Sequence, residues 1–61
     1  MNIYGFLLAH GYQLYKGYVN AENEEEARKK ILNEDWDDII DEYDTDVLTK
    51  GYEIVELWES W

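Results

Sequence analysis

Apolar side chains occupy positions of both parities along the first third of the chain. Segments Asn2 to Ala9 and Tyr12 to Ala21 are rich in Tyr, Leu, Ile, Val and Phe, and His10-Gly11 separates them. Two residues that tolerate positive φ, set between such runs, predict a β-hairpin. With that loop Tyr4 falls opposite Gly17 and Phe6 opposite Tyr15, so one face carries Tyr4, Phe6, Leu8, Tyr15 and Val19. The other face carries Ile3, Leu7, Tyr12, Leu14 and Tyr18, and neither face is polar.

After Ala21 the pattern changes to a helical one. Asn23 followed by Glu26 fits an N-cap with an acidic residue at the third helical position. Glu24, Glu25 and Glu26 suit the positive end of the helix dipole, and Arg28, Lys29 and Lys30 suit its negative half. Ala27 and Ile31 share a face with Leu32 alongside, so this helix buries a narrow stripe and serves as a lid for one side of the sheet.

Asp35 can cap a second helix in which Trp36, Ile39, Ile40 and Tyr43 stand at i, i+3, i+4 and i+7. Asp37, Asp38, Asp41 and Glu42 then project from its opposite side. Asp37/Asp41 and Asp38/Glu42 become like-charge i,i+4 pairs, each costing roughly 0.2–0.5 kcal/mol. Asp44-Thr45-Asp46 reads as a turn or fresh cap and Lys50-Gly51 as a stop. Tyr52 to Trp61 reads as a third strand, with Tyr52, Ile54 and Trp58 on one side and Val55, Leu57 and Trp61 on the other. The expected fold is a single α+β domain spanning 1–61, in the order β-β-α-α-β. A three-stranded antiparallel sheet carries the helices on the face of Phe6, Tyr15 and Val19, leaving Ile3, Leu7, Tyr12, Leu14 and Tyr18 uncovered.

Composition sharpens this picture. A 61-residue chain without cysteine has neither disulfides nor thiolate metal sites to support a small core. Six Tyr, three Trp and one Phe supply the mass instead, and self-association is the other route to stability. Fifteen acidic residues against five basic ones give a net charge of −10. That balance excludes direct binding to nucleic acid or an anionic membrane, which relies on Lys and Arg. It points to cationic partners: a basic protein groove, a divalent metal, or a protein that grips nucleic acid. With 46% apolar residues the chain is expected to fold despite its charge. No basic n-region precedes the short apolar run Ile3 to Ala9, so a cytoplasmic protein is expected.

Catalytic sets are missing from the sequence. His10 is the only histidine and sits in the expected turn, Ser60 has no partners for a triad, and Gly5, Gly11, Gly17 and Gly51 are scattered rather than grouped in a phosphate loop. Starting an EF-hand at Asp35, Asp37, Asp44 or Asp46 never places a glycine at the sixth position, so no dedicated metal site and no cofactor are expected.

The charge itself is concentrated. Between Glu34 and Asp46 stand Glu34, Asp35, Asp37, Asp38, Asp41, Glu42, Asp44 and Asp46, and no Lys or Arg lies between Ile31 and Thr49. On a helix, i and i+4 side chains are about 5–6 Å apart at Cβ, the same order as successive phosphates along a strand. Such an array could occupy a Lys/Arg-lined groove, with Trp36, Tyr43 and Trp58 as anchors. The expected function is therefore a non-catalytic inhibitor that mimics nucleic acid and blocks a basic nucleic-acid-binding enzyme. The alternative is a structural or adaptor module that dimerises, or binds a partner, through Leu7, Tyr12, Leu14 and Tyr18.

The stretch Val19-Asn20-Ala21-Glu22-Asn23-Glu24-Glu25-Glu26-Ala27, a strand ending in V-x-A before a capped E-E-A helix, resembles the DpnD/PcfM-like domains of short phage and plasmid proteins. In size and charge the chain is also similar to phage-encoded anti-CRISPR and anti-restriction proteins, several of which imitate DNA. These resemblances imply a defence nuclease as target and, for a phage-encoded protein, the host cytoplasm as its location.

Overall fold

The structure is a computed structural model and describes residues 2–60. It contains two long strands and one helix: β1 Asn2–Ala21, α1 Glu24–Leu32 and β2 Asp38–Glu59. The strands pair antiparallel as a two-stranded sheet, with α1 as the connection between them. This overturns the expected β-β-α-α-β order. The hairpin strands Asn2 to Ala9 and Tyr12 to Ala21 form one continuous strand, and the second helix does not exist. Its residues and the third strand belong to β2, while Trp61 lies outside the described residues.

Twenty extended residues would reach roughly 65 Å. The longest dimension of the molecule is only 35 Å, so β1 cannot run straight. It folds back near Gly11, which has φ +62°. Asn2 Nδ2 donates to the Glu22 carbonyl at 3.4 Å, and the tip of the Phe6 ring lies 3.1 Å from where a Gly17 Cβ would stand. Opposite the bend, Gly11 pairs with Thr49 and Gln13 with Asp44, so Thr45 to Leu48 bulge from β2. Gly51, with φ +72°, absorbs a second irregularity there. The molecule thus has two arms. One joins Tyr4–His10 to Tyr52–Glu59, and the other joins Gln13–Tyr18 to Asp38–Asp44.

The helix begins where its local chemistry dictates. Asn23 Oδ1 accepts from Glu26 N at 2.8 Å, while Glu26 Oε1 accepts from Glu22 N at 3.4 Å. Its C-terminus closes with Glu34 N donating to Ile31 O at 3.2 Å and Asp35 N to Lys30 O at 2.9 Å. That is a Schellman motif, and Glu34 holds the left-handed position with φ 59°.

One face of the folded ribbon and the helix share the core. Phe6, Leu8, Val19, Ala21, Ala27 and Ile31 are fully buried and Tyr4 nearly so. Tyr15, Trp36, Ile39, Tyr52, Ile54 and Leu57 close its margins. No helix among the described residues is long and apolar enough to cross a membrane.

Candidate functional site

The acidic segment splits between the connection and β2. Glu34 and Asp35 finish the helix, and Asp37 leads into β2 by donating its N–H to Tyr18 O at 3.1 Å. Asp37 Oδ2 accepts from both the backbone N and the Nδ2 of Asn20, the latter at 3.0 Å. From there Asp38 pairs with Tyr18, Asp41 with Lys16, Glu42 with Tyr15 and Asp44 with Gln13, while Asp46 rides the bulge.

Strand alternation decides where these carboxylates point. Gly17 pairs with Ile39, and both Ile39 and Tyr15 pack against the core. Glu42 and Asp44 therefore share the helix-bearing side, beyond the end of the core. The irregularity between Lys16 and Gly17 makes Ile40 the extra residue, so Asp38 and Asp41 fall on the other side, with Tyr18 and Lys16. The expected helical array at i and i+4 is absent because this segment is extended. Its carboxylates leave the sheet on both faces: Glu42 and Asp44, two positions apart on one face, stand about 6.5–7 Å apart, and Asp38 and Asp41 lie on the other face across the bulge.

Trp36 is not an exposed anchor. Its Nε1 donates to Ile31 O at 2.9 Å, and its ring packs on Phe6 and Tyr15 at centroid distances of 5.8 and 5.6 Å. It seals the open edge of the core. Tyr43 is exposed, and its hydroxyl donates to Asp41 Oδ2 at 2.9 Å. That hydrogen bond to a carboxylate, more than burial or the charge of Asp41, raises the Tyr43 pKa above its ordinary value. Tyr52 stacks on His10 at 4.3 Å and is raised likewise, chiefly by its interaction with Glu34.

The cations do not offset the acidic segment. Arg28, Lys29 and Lys30 lie 3.1, 3.7 and 3.6 Å from Glu24, Glu25 and Glu26 along the helix. Lys30 Nζ also donates to Asn20 O at 2.8 Å. Of the remaining two, Lys16 lies across from Asp41 without a close ion pair among the described residues, and Lys50 is beside the bulge. The side chains from Glu34 to Asp46 form no salt bridge among the described residues.

The second candidate surface is the sheet face away from α1. Leu7, Leu14 and Tyr18 are half-buried outside the core cluster, and Tyr12, at the bend, is 56% exposed. Leu7 pairs with Glu56, Leu14 with Tyr43 and Tyr18 with Asp38. Trp58 lies directly over Gly5, on this same side. Asp38 and Asp41 are consequently interleaved with the apolar residues on this face, while Glu42 and Asp44 stand on the other.

A groove opens where the two ends of β1 meet the two ends of β2. It has a volume of about 400 Å³ and is lined by Ile3, Tyr18, Asn20, Asp37, Asp38 and Ser60. Sequence reading picks out neither Asn20 nor Ser60 for this place. Asn20 reaches Asp37 across 17 positions, and Ser60 is held by its N–H donating to Ile3 O at 2.7 Å. No local pattern announces either contact. No group of three or more His, Asp or Glu side chains among the described residues is placed to hold a metal ion. Comparison with protein-family models, curated proteins and solved structures finds no match to this chain.

Proposed function

We propose that this protein acts without catalysis, as an acidic ligand that occupies the basic surface of a nucleic-acid-handling protein and so competes with nucleic acid, a bacterial defence nuclease being the expected type of target. The supporting observation is the separation of charge. The helix consumes three of the five cations in its own i,i+4 pairs, while the carboxylates of Asp38, Asp41, Glu42 and Asp44 stand on a strand with no salt bridge among the described residues. On this extended strand Glu42 and Asp44 stand about 6.5–7 Å apart on one face, a charge spacing of the same order as a phosphate backbone. That spacing arises on a pleated ribbon rather than a helix. Long-range attraction would also speed arrival at a basic groove.

Pull-down from bacterial lysate at low and moderate salt tests this reading. A retained nucleic-acid-binding protein that added DNA or RNA elutes supports it, whereas retention indifferent to salt and nucleic acid overturns it. A second reading, a dimerising or adaptor module, rests on Leu7, Leu14 and Tyr18 lying on the sheet face that α1 leaves uncovered. Under that reading the acidity serves solubility.

A further inference from the structure

We infer that the groove between Tyr18 and Asp38 is a receptor for an arginine side chain of the basic partner. This rests on the proposed binding to a basic protein and names the contact that would anchor it. Three features favour a guanidinium. Tyr18 supplies an aromatic wall, and planar guanidinium groups stack on such rings while ammonium groups interact as compact point charges. Ile3 lines the same groove, and the arginine methylenes can lie along it while the charged head stays at the rim. Two aspartates complete the lining. Asp37 is fixed in place by its two hydrogen bonds from Asn20, and the side-chain carboxylate of Asp38 makes no hydrogen bond or ion pair among the described residues.

The backbone explains why these groups converge. Gly17 has no side chain, so the Asp38 carbonyl comes against β1 at that point and Asp38 takes its position opposite Tyr18. The charge also fits one sign only. A groove bordered by Asp37 and Asp38, on a chain of net charge −10, repels phosphates and carboxylates, and a second copy of this chain brings the same repulsion.

The full chain, labelled with ¹⁵N, should be titrated with three short capped peptides that differ only in a central arginine, lysine or citrulline. Arginine should shift the amides of Tyr18, Asn20 and Asp38 in a saturable manner. Lysine should bind more weakly by about threefold or more, and citrulline, which is neutral, should leave them unmoved. Asp38→Asn should weaken the arginine titration by about fivefold or more with the spectrum otherwise retained. Tyr18→Leu gives an independent check by removing the stacking wall. Equal response to lysine and arginine, shifts centred on the helix glutamates or on Asp44 and Asp46, or an Asp38→Asn variant that binds unchanged would each overturn the inference. The two proposals fail separately. A partner still eluted by nucleic acid from the Asp38→Asn protein removes the groove but not the acidic ligand. Arginine binding without any nucleic-acid-displaced partner does the reverse.

Discussion

The backbone carbonyl of Asp38 stands where a side chain on Gly17 would have to begin. This approach lets β2 start tight against β1, and Phe6 and Ile39 crowd the same point. Gly17→Ala therefore forces the backbone to move and should cost about 1–3 kcal/mol. Gly11 gives the contrast: no atom stands within 4 Å of its Cβ position, but its φ is +62°. Gly11→Ala should cost about 1–2 kcal/mol through strain alone, with the core spectrum unchanged. Urea unfolding of both variants measures the two costs, and only Gly17→Ala should alter the Tyr18 and Asp38 signals.

Trp36 closes the core between Phe6 and Tyr15 and is tied to the end of the helix through Ile31. Trp36→Ala should remove roughly 2–4 kcal/mol, which is a large part of the stability of a domain this small. Trp36→Phe keeps a smaller aromatic ring, loses the hydrogen bond and should cost roughly 1–2 kcal/mol. If Trp36→Ala instead left the melting curve in place and reduced only binding, Trp36 would be a partner anchor and the packing account would be wrong.

Glu34 occupies a left-handed backbone position that glycine fills without strain. Glu34→Gly should relieve about 1 kcal/mol of that strain, and because it also removes the Tyr52 partner, the net gain in thermal unfolding at neutral pH should be smaller than the strain relief. The same change removes the group that chiefly raises the Tyr52 pKa, so Tyr52 should ionise at a lower pH in the variant.

Both Tyr43 and Tyr52 have pKa values raised above their ordinary value of 10.0. The folded protein holds these protons more tightly than the unfolded chain does. Their contribution to stability is thus fully present below pH 10 and is lost as pH rises through the folded-state values. Tyrosinate absorbance followed against pH should show a late-titrating pair. Asp41→Asn should return one of them toward the ordinary range, because Asp41 accepts the Tyr43 hydroxyl.

The helix was readable because its determinants are local. The Asn23 cap, the Glu24–Glu26 run and the Lys/Arg half lie within one short segment, and the structure uses each of them. The parity of the sheet was readable too, since Tyr4, Phe6, Leu8 and Val19 share the buried face whatever the strand count. The segment from Trp36 to Tyr43 misleads because apolar residues at i, i+3, i+4 and i+7 also fit a strand with one extra residue. Ile39 faces the core and Ile40 is the bulge. Pairing with β1, far away along the chain, chose between the two. A quieter signal disfavoured the helix, which would have stacked like charges one turn apart. Gly17 gave no sign of its role, because a close backbone approach leaves no trace in periodicity.

The strongest test of the acidic strand separates charge from fold. Replacing Asp38, Asp41 and Asp44 by Asn and Glu42 by Gln removes carboxylates that are all exposed and form no salt bridge among the described residues. No buried contact is lost, and self-repulsion falls, so thermal stability at low salt should hold or rise. Added salt should raise the melting temperature of the parent more than that of the variant, since screening does for the parent what neutralisation has already done. Association with a basic partner should then slow by on the order of tenfold or more and become less salt-dependent. A variant that keeps its fold and all of its partner binding would reject the acidic-ligand reading. Polar replacement of Leu7, Leu14 and Tyr18 would next decide whether the uncovered sheet face carries the function instead.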